Sequence, residues 1–207
     1  NASSGYGIAK NKLESDIYTC LIEDDDVRNA IVKTEYNADL LPSNTQLAGA
    51  AVALVNLPRR EMRLRSVLAP IVPLYDYIFI DCPPSLDLLT INALAAADGL
   101  LAPVEPEEYA VAGISDLLGT VRQVQRSYNP ALEVLGVLLT RCDRRRSSVQ
   151  QVRDDLIAAL GDKVFDAMIP YLTEASNAPR ERRSCVSKPG SEIGRAYMAV
   201  AKEVLVR

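Results

Sequence analysis

Continuous apolar runs separated by stretches of helical spacing most constrain the fold of this 207-residue chain. The runs are 77–81 (YIFID), 99–105 (GLLAPVE), 134–143 (VLGVLLTRCD) and 163–170 (KVFDAMIP). Strands without polar alternation are buried on both faces, and the intervening helices supply the covering layers. The pattern predicts an α/β fold with a doubly wound, mostly parallel sheet and helices on both faces. Residues 77–81 and 135–140 are its predicted interior strands.

Shorter signals complete the predicted order of elements. Residues 1–11 are rich in Gly, Ser and Asn and predict a loop. A short strand is predicted within 38–44, where Pro42 stops it. Predicted helices occupy 13–23, 24–32, 45–56, 59–71, 86–97, 113–128, 147–160 and 191–206. Without an internal repeat or a visible boundary, the sequence predicts one domain over 1–207.

Composition excludes several classes of protein. The net charge of −4 excludes a strongly basic nucleic-acid protein, although 141–146 and 180–183 are locally rich in Arg. No His is present, which removes Ser-His and Cys-His catalysis. The four Cys form no CxxC pair, so free thiols are expected rather than a zinc site. No apolar run reaches the roughly 18–20 residues of a membrane span.

Asp81 is the sharpest candidate site residue, because it ends an otherwise apolar strand. Ligands of doubly wound sheets lie beyond the carboxyl ends of the strands. We therefore expect 81–84, 103–105, 140–143 and 169–170 to line one rim. A carboxylate there is suited to holding hydrated Mg²⁺ next to phosphates. The alternative is an Asp that caps the following helix or turn.

The segment YDYIFIDCPPSLDLLTINALAAADGLLAPVEPEEYAVAGISDLL, residues 75–118, resembles the middle of ParA/Soj-type partition ATPases. These belong to the MinD-like deviant-Walker group of P-loop NTPases, and the likeness extends over essentially all 207 residues. The resemblance implies ATP and Mg²⁺ as ligands, an ATP-dependent homodimer and non-specific DNA binding. It further implies a ParB-type partner that stimulates hydrolysis, and a cytoplasmic, nucleoid-associated role in segregating a chromosome or plasmid.

The resemblance also assigns roles to single residues. Asp81 would hold Mg²⁺ through a bound water, and Pro83 and Pro84 would shape the turn after it. Glu107 matches a Glu that the family carries after the next strand. The residues implied on the adenine side are Arg141, Asp143, Pro170 and Pro179. The residues proposed for DNA contact are Arg180, Arg182 and Arg183, for which a solvated face is the alternative.

Two departures from the family pattern are visible. Tyr171 stands where the family usually has Arg, which puts the adenine-side contacts in doubt. The P-loop KGGxGKT, its preceding strand and the Asp of the switch I segment are absent from the 207 residues. We expect them upstream of Asn1, so this chain contains no catalytic residue of its own. The predicted domain is thus incomplete at its start, and this chain alone is expected to be inactive.

Two other functions are open at this point. One is a non-catalytic ParA-like interaction module, and the other is a MinD-like positioning ATPase. In MinD relatives a terminal amphipathic helix binds membrane. Here a stripe of Ile193, Tyr197, Val200 and Val204 matches the family's ordinary packing helix, so we expect core packing and no membrane contact.

Overall fold

The structure is a computed structural model that describes residues 2–8, 13–83, 85–143, 145–178 and 184–207. The chain divides into two compact units, each of which is described here by itself. Unit 1 comprises residues 1–98 and 121–132, and unit 2 comprises residues 99–120 and 133–207. The single domain predicted over 1–207 stays a prediction.

The secondary structure alternates short elements with three long helices. The helices are α1 Ala2–Gly5, α2 Ile17–Ile22, α3 Val27–Ala30, α4 Leu47–Leu54, α5 Arg63–Leu68, α6 Leu88–Ala96, α7 Ala110–Ser127, α8 Ser147–Leu160, α9 Thr173–Asn177 and α10 Glu192–Val204. The strands are β1 Val32–Lys33, β2 Asp39–Leu40, β3 Gly99–Val104 and β4 Glu133–Leu139. Single 3-10 turns occupy Arg60–Met62, Val72–Leu74, Gly161–Lys163 and Cys185–Ser187.

Local capping explains where α2 of unit 1 begins. Asp16 Oδ1 accepts hydrogen bonds from the N–H groups of Tyr18 at 2.8 Å and Thr19 at 3.2 Å. Thr19 Oγ1 in turn accepts from the N–H of Asp16 at 3.1 Å, which completes a capping box. The helix then buries Cys20 and Leu21 against α5 and α6.

A buried amide joins two elements of unit 1. Asn92 of α6 is 1% exposed, and its Oδ1 accepts a hydrogen bond from Leu64 N–H at 3.0 Å. Its Nδ2 donates to the carbonyls of Arg60 at 2.8 Å and Leu88 at 2.9 Å. These three hydrogen bonds satisfy the buried amide, and they therefore fix how α5 and α6 pack against each other. The surrounding buried core comprises Cys20, Leu21, Val27, Ala30, Leu64, Leu68, Ile71 and Ala93.

Unit 2 is built on a parallel strand pair. β3 pairs with β4 from Gly99–Glu133 to Val104–Leu139. On the other side of β4, Phe165 N–H donates to the Val137 carbonyl and Ile169 N–H to the Leu139 carbonyl, each at 2.9 Å. β4 therefore has neighbours on both sides, and the prediction that 135–140 is an interior strand is confirmed. The predicted strand 163–170 runs parallel to β4, but it pairs through isolated bridges only.

The helices of unit 2 cover this pair with two apolar clusters. One cluster joins the strands to α7 and α8, and the other joins them to α10. Ile193 and Val200 are buried in the second cluster, and Val204 packs against it. The predicted core packing of α10 is confirmed at these positions, whereas Tyr197 is 41% exposed. Among the described residues, the longest helices are too short or too polar to cross a membrane.

Residues 77–81 are not an interior strand, and this part of the fold prediction is wrong. Within the described chain no strand pairs with them, and Tyr77 and Phe79 are 58% and 81% exposed. A central strand needs hydrogen-bonding neighbours on both edges, and the described residues supply neither. Two smaller predictions also need correction. Residues 1–11 are predicted to form a loop, but residues 2–5 are helical. The helix predicted over 24–32 is shorter, because α3 ends at Ala30 and β1 follows.

Candidate functional site

Asp81 of unit 1 is exposed at the end of the apolar segment 77–80. In the part of the chain that the structure describes, its carboxylate takes part in no hydrogen bond and no ion pair. The carboxylate thus has no hydrogen-bond or ion-pair partner among the described residues. A free carboxylate of this kind fits the role of accepting hydrogen bonds from the water shell of a Mg²⁺ ion, which prefers oxygen ligands.

A different acid caps the following helix. Asp87 Oδ1 accepts hydrogen bonds from the N–H groups of Leu89 at 2.9 Å and Thr90 at 3.3 Å, at the start of α6. Ser85 Oγ donates to Asp87 Oδ2 at 2.9 Å. Asp87 satisfies the N-terminal donors that an N-cap residue normally satisfies. The alternative that Asp81 caps the following helix is therefore wrong.

In unit 2 the carboxyl ends of the parallel segments converge on one rim. Thr140 N–H donates to the Val104 carbonyl at 2.8 Å, which continues the β3–β4 pairing beyond β4. Cys142 N–H donates to the Ile169 carbonyl, and Tyr171 N–H donates to the Cys142 carbonyl, both at 3.0 Å. The predicted site residues Arg141, Asp143 and Pro170 therefore lie on chain segments that are hydrogen-bonded to each other.

Arg141 contacts side chains from both neighbouring segments. Its backbone adopts a left-handed conformation with φ of 53°. Its Nη1 lies 2.9 Å from Glu105 Oε1, and its Cζ lies 5.5 Å from the centroid of the Tyr171 ring. The hydrogen bond and charge of Glu105 raise the pKa of the Arg141 guanidinium. Arg141 is therefore a cation that pairs with Glu105 at the surface and lies over an aromatic ring.

The Asp143 carboxylate accepts hydrogen bonds within its own turn. Its Oδ1 accepts from Arg145 N–H at 3.1 Å and Nε at 3.0 Å, and its Oδ2 accepts from Nη2 at 3.1 Å. These hydrogen bonds hold the pKa of the Asp143 carboxyl below its ordinary value. The Asp143 carbonyl accepts from Arg146 N–H at 3.0 Å, immediately before α8 begins. The carboxylate thus shapes the loop between β4 and α8.

Pro170 is buried and lines an open groove of about 440 Å³ in unit 2. Met168 and Ala196 give this groove an apolar side, and Glu192 and Arg195 give it a charged side. The groove lies next to the rim that carries Arg141 and Tyr171. Polar and apolar groups therefore stand side by side at the carboxyl end of the 163–170 segment.

Several predicted site residues lie outside the described residues. These are Pro84, Pro179, Arg180, Arg182 and Arg183. Glu107 is exposed on the loop after β3, with its N–H donating to the Glu105 carbonyl at 2.8 Å. Over the described ranges no cluster of three or more acidic, Cys or His residues is placed to hold a metal directly.

Sequence reasoning missed the partner of Arg141. Glu105 lies on the predicted strand-end rim, but the sequence assigns it no role, and Tyr171 enters only as a departure from the family pattern. The available signal was charge, because Glu105 and Arg141 end consecutive parallel strands. Opposite charges at neighbouring strand ends can pair, but the register of the strands decides whether they meet.

A parallel strand pair that helices cover on both faces is an α/β arrangement, and solved structures of P-loop NTPase-like fold share the fold of this chain. The cell division ATPase MinD of Pyrococcus furiosus matches with a TM-score of 0.79 at 21% identity, over 99% of this chain and 80% of that chain. Cobyrinic acid a,c-diamide synthase of Mycobacterium smegmatis, with bound ADP and magnesium, matches with a TM-score of 0.75. Its identity is 35%, over 85% of this chain and 72% of that chain.

Sequence comparisons narrow the class to one family. The family model AAA_31, an AAA domain, matches residues 1–134. The sporulation initiation inhibitor protein Soj of Bacillus subtilis is 44% identical over 99% of this chain and 81% of its own length. The chromosome partitioning protein ParA of Caulobacter vibrioides is 39% identical over 100% of this chain and 79% of its own length. The chain belongs to the ParA/Soj family of partition ATPases.

Proposed function

We propose that this chain is part of a partition ATPase that switches between ATP-bound and ATP-free states. In the ATP-bound state two copies associate and bind DNA without sequence preference, and a ParB-type partner stimulates hydrolysis. The cycle segregates a chromosome or a plasmid at the nucleoid. The similarity to Soj and ParA over nearly the whole chain supports this proposal.

The residues of this chain take two roles in the proposal. Asp81 holds the water shell of Mg²⁺, and the ion supplies charge neutralisation on the phosphates. Arg141, Asp143, Pro170 and Pro179 stand on the adenine side, with Asp143 acting through the shape of its loop. The phosphate-cradling P-loop and the water-positioning Asp of the family pattern do not occur among the 207 residues, so neither role is assigned to a residue of this chain.

The observation that carries the proposal is the pair of acids Asp81 and Asp87. Asp87 is occupied by the cap of α6, whereas Asp81 has no protein partner in the described chain. An exposed carboxylate without a structural task, at the end of an apolar segment, is available to hydrogen-bond the water shell of a metal ion. In this family fold the ligand that fits it is hydrated Mg²⁺ on a nucleotide.

The test measures Mg²⁺-dependent ATP binding by calorimetry. A family P-loop and switch I segment is placed before Asn1, and the extended chain is titrated with ATP in the presence and absence of Mg²⁺. Asp81→Asn is expected to reduce the Mg²⁺-dependent gain in affinity about tenfold or more, because a charge-assisted contact contributes about 1.5–3 kcal/mol.

The matched control is Asp76→Asn, which removes the same charge from the exposed start of the same segment. It is expected to leave the Mg²⁺ dependence unchanged. Equal effects of the two substitutions would contradict the assigned role of Asp81. ATP binding without any Mg²⁺ dependence, or no ATP binding, would favour the non-catalytic interaction module instead.

A further inference from the structure

The β1–β2 hairpin of unit 1 carries a carboxylate that two other side chains contact. Lys33 and Asp39 are paired across the two strands, and Lys33 Nζ lies 2.6 Å from Asp39 Oδ2. Tyr75 Oη donates a hydrogen bond to the same oxygen at 2.6 Å. The Asp39 side chain is 17% exposed, whereas the Lys33 side chain is 84% exposed. The hydrogen bond between Tyr75 and Asp39 is therefore the more buried of the two contacts, and it ties the hairpin to a distant part of the chain.

Tyr75 begins the segment 75–81, which ends at Asp81. Tyr75 and Ile80 both pack against the buried core of unit 1. Between them Tyr77 and Phe79 are exposed, and their rings stack with centroids 6.4 Å apart. Within the described chain no strand pairs with this segment, so no ladder of backbone hydrogen bonds fixes it. Its position therefore depends on the side-chain contacts at its two ends.

The hairpin is itself held in place by residues 2–8. The ring of Tyr36, in the turn of the hairpin, meets the Tyr6 ring edge-to-face with centroids 5.7 Å apart. Beyond β2, Ser43 N–H donates to Oγ of Ser3 at 3.1 Å, and Ser3 is 3% exposed. Asp39 thus lies on an element that is anchored at its turn and after its second strand.

We propose that Asp39 and Tyr75 are positioning residues for Asp81. The anchored hairpin holds the start of the segment 75–81 and Ile80 holds its other end, so that Asp81 faces the hydrated Mg²⁺ of the nucleotide in a defined place. The inference rests on the proposed ATP-binding function, and neither positioning residue touches the nucleotide. Loss of the Tyr75 hydroxyl leaves the Asp81 carboxylate intact, but it lowers the fraction of molecules in which that carboxylate is well placed.

A purely structural role of this hydrogen bond would have different consequences. If the bond only stabilised the fold, its loss would lower the free energy of unfolding and would affect ATP binding equally with and without Mg²⁺. A positioning role acts through Asp81, so its effect is confined to the Mg²⁺-dependent part of the affinity. The effect also disappears once the Asp81 carboxylate is removed, and a double-mutant cycle measures such non-additivity.

The first experiment titrates the chain, extended by a family P-loop and switch I segment, with ATP in the presence and absence of Mg²⁺. Tyr75→Phe is expected to reduce the Mg²⁺-dependent gain in affinity about two- to tenfold, which corresponds to the loss of one hydrogen bond. In the Asp81→Asn background the same substitution should have no further effect. The matched control is Tyr77→Phe, whose hydroxyl has no hydrogen-bond partner among the described residues, and it should change nothing. An equal loss from Tyr75→Phe in both backgrounds, or no loss at all, overturns the inference.

The second experiment needs no nucleotide and uses the 207-residue chain. Because the chain contains two Phe, labelling with fluorophenylalanine gives one fluorine magnetic resonance signal from Phe79 and one from Phe165 in unit 2. Asp39→Asn weakens the contact with Tyr75 and is expected to shift or broaden the Phe79 signal, with Phe165 as the internal reference. The matched control Glu35→Gln removes a charge from the exposed turn of the same hairpin and should leave both signals in place. A Phe79 signal that is the same in Asp39→Asn as in the parent overturns the inference.

Failure of the proposed function has a different signature. Mg²⁺-dependent ATP binding that is weakened by Asp81→Asn but unchanged by Tyr75→Phe overturns the positioning inference and leaves the ATPase proposal in place. A lack of Mg²⁺-dependent ATP binding in the parent contradicts the ATPase proposal. A Phe79 signal that responds to Asp39→Asn but not to Glu35→Gln would then still support the hairpin as the element that positions the segment 75–81.

Discussion

The Arg207 guanidinium carbon lies 4.2 Å from the centroid of the Phe165 ring in unit 2. Its Nη1 donates to the carbonyls of Leu135 at 3.0 Å and Asp162 at 2.8 Å, and its Nη2 lies 2.7 Å from Glu203 Oε1. One side chain thus closes the amino-terminal end of the β4 pairing. The Arg207–Glu203 ion pair is mostly buried, so its two partners depend on each other.

Glu203 makes the stability of unit 2 sensitive to acid. Burial raises the pKa of its carboxyl, but hydrogen bonds from the N–H groups of Ala167 and Asp166 and from Arg207 outweigh burial, and the pKa is lowered. Its contribution to stability is complete above the unfolded pKa near 4.3 and is lost as the pH falls through the folded value. Glu203→Gln should flatten this acid limb in denaturant melts from pH 6 to pH 3, whereas the exposed Glu133→Gln should not.

Gly136 and Gly113 are expected to respond in opposite directions to substitution by Ala. At Gly136, with φ of +154°, a Cβ would lie 2.3 Å from the Lys163 carbonyl oxygen and 2.8 Å from a Phe165 ring carbon. Gly136→Ala should destabilise the chain by about 2 kcal/mol or more. At Gly113 in α7 a Cβ meets nothing within 4 Å, so Gly113→Ala should stabilise by up to about 1 kcal/mol. Urea denaturation of both variants checks the sign.

Substitutions at Asp87 and at Asp81 are expected to differ in their effect on the free energy of unfolding. Asp87→Ala removes the N-cap of α6 and should lower the free energy of unfolding by about 1 kcal/mol. Asp81→Ala should change it by less than about 0.5 kcal/mol, because the side chain has no protein partner in the described chain. Thermal melts of the two variants without nucleotide provide the comparison. A larger loss for Asp81→Ala would show a structural task for that carboxylate.

The 207-residue chain by itself should not hydrolyse ATP measurably. Phosphoryl transfer requires phosphate cradling, metal binding and positioning of the attacking water together. Of these three parts, the sequence given contains only Asp81, the carboxylate proposed for the metal side. Phosphate release by the purified chain that disappears in Asp81→Ala would contradict this prediction.

The arginines proposed for DNA contact can be tested by salt dependence in the extended, ATP-bound chain. Each neutralised phosphate contributes about −0.9 to the slope of log affinity against log salt. Combined replacement of Arg180, Arg182 and Arg183 by Ala should weaken binding to DNA of arbitrary sequence and flatten that slope, while ATP binding stays the same. The matched control replaces the exposed Arg65, Arg122 and Arg126. Equal slopes for the triple variant and its parent would place the DNA surface elsewhere.

Local pattern was sufficient for most elements of the fold. The predicted helix 147–160 agrees with α8, the apolar run 99–105 contains β3, and the run 134–143 overlaps β4. Helical periodicity and continuous apolar runs act over a few residues, so one segment reveals them. The same reasoning failed at 77–81, because strand formation there depends on neighbours that the segment itself does not encode.

The sequence by itself determined that the chain is an α/β protein with charged residues at its strand ends, and its motifs identified the ParA/Soj family. Only the tertiary structure decided which acid caps α6, which side chains surround Arg141, and how Arg207 closes the end of β4. Arg141 lies 36 residues after Glu105 and 30 residues before Tyr171, and the contacts among the three depend on the register of parallel segments. Register is set by packing across the whole unit, so spacing along the chain does not reveal which strand-end side chains meet.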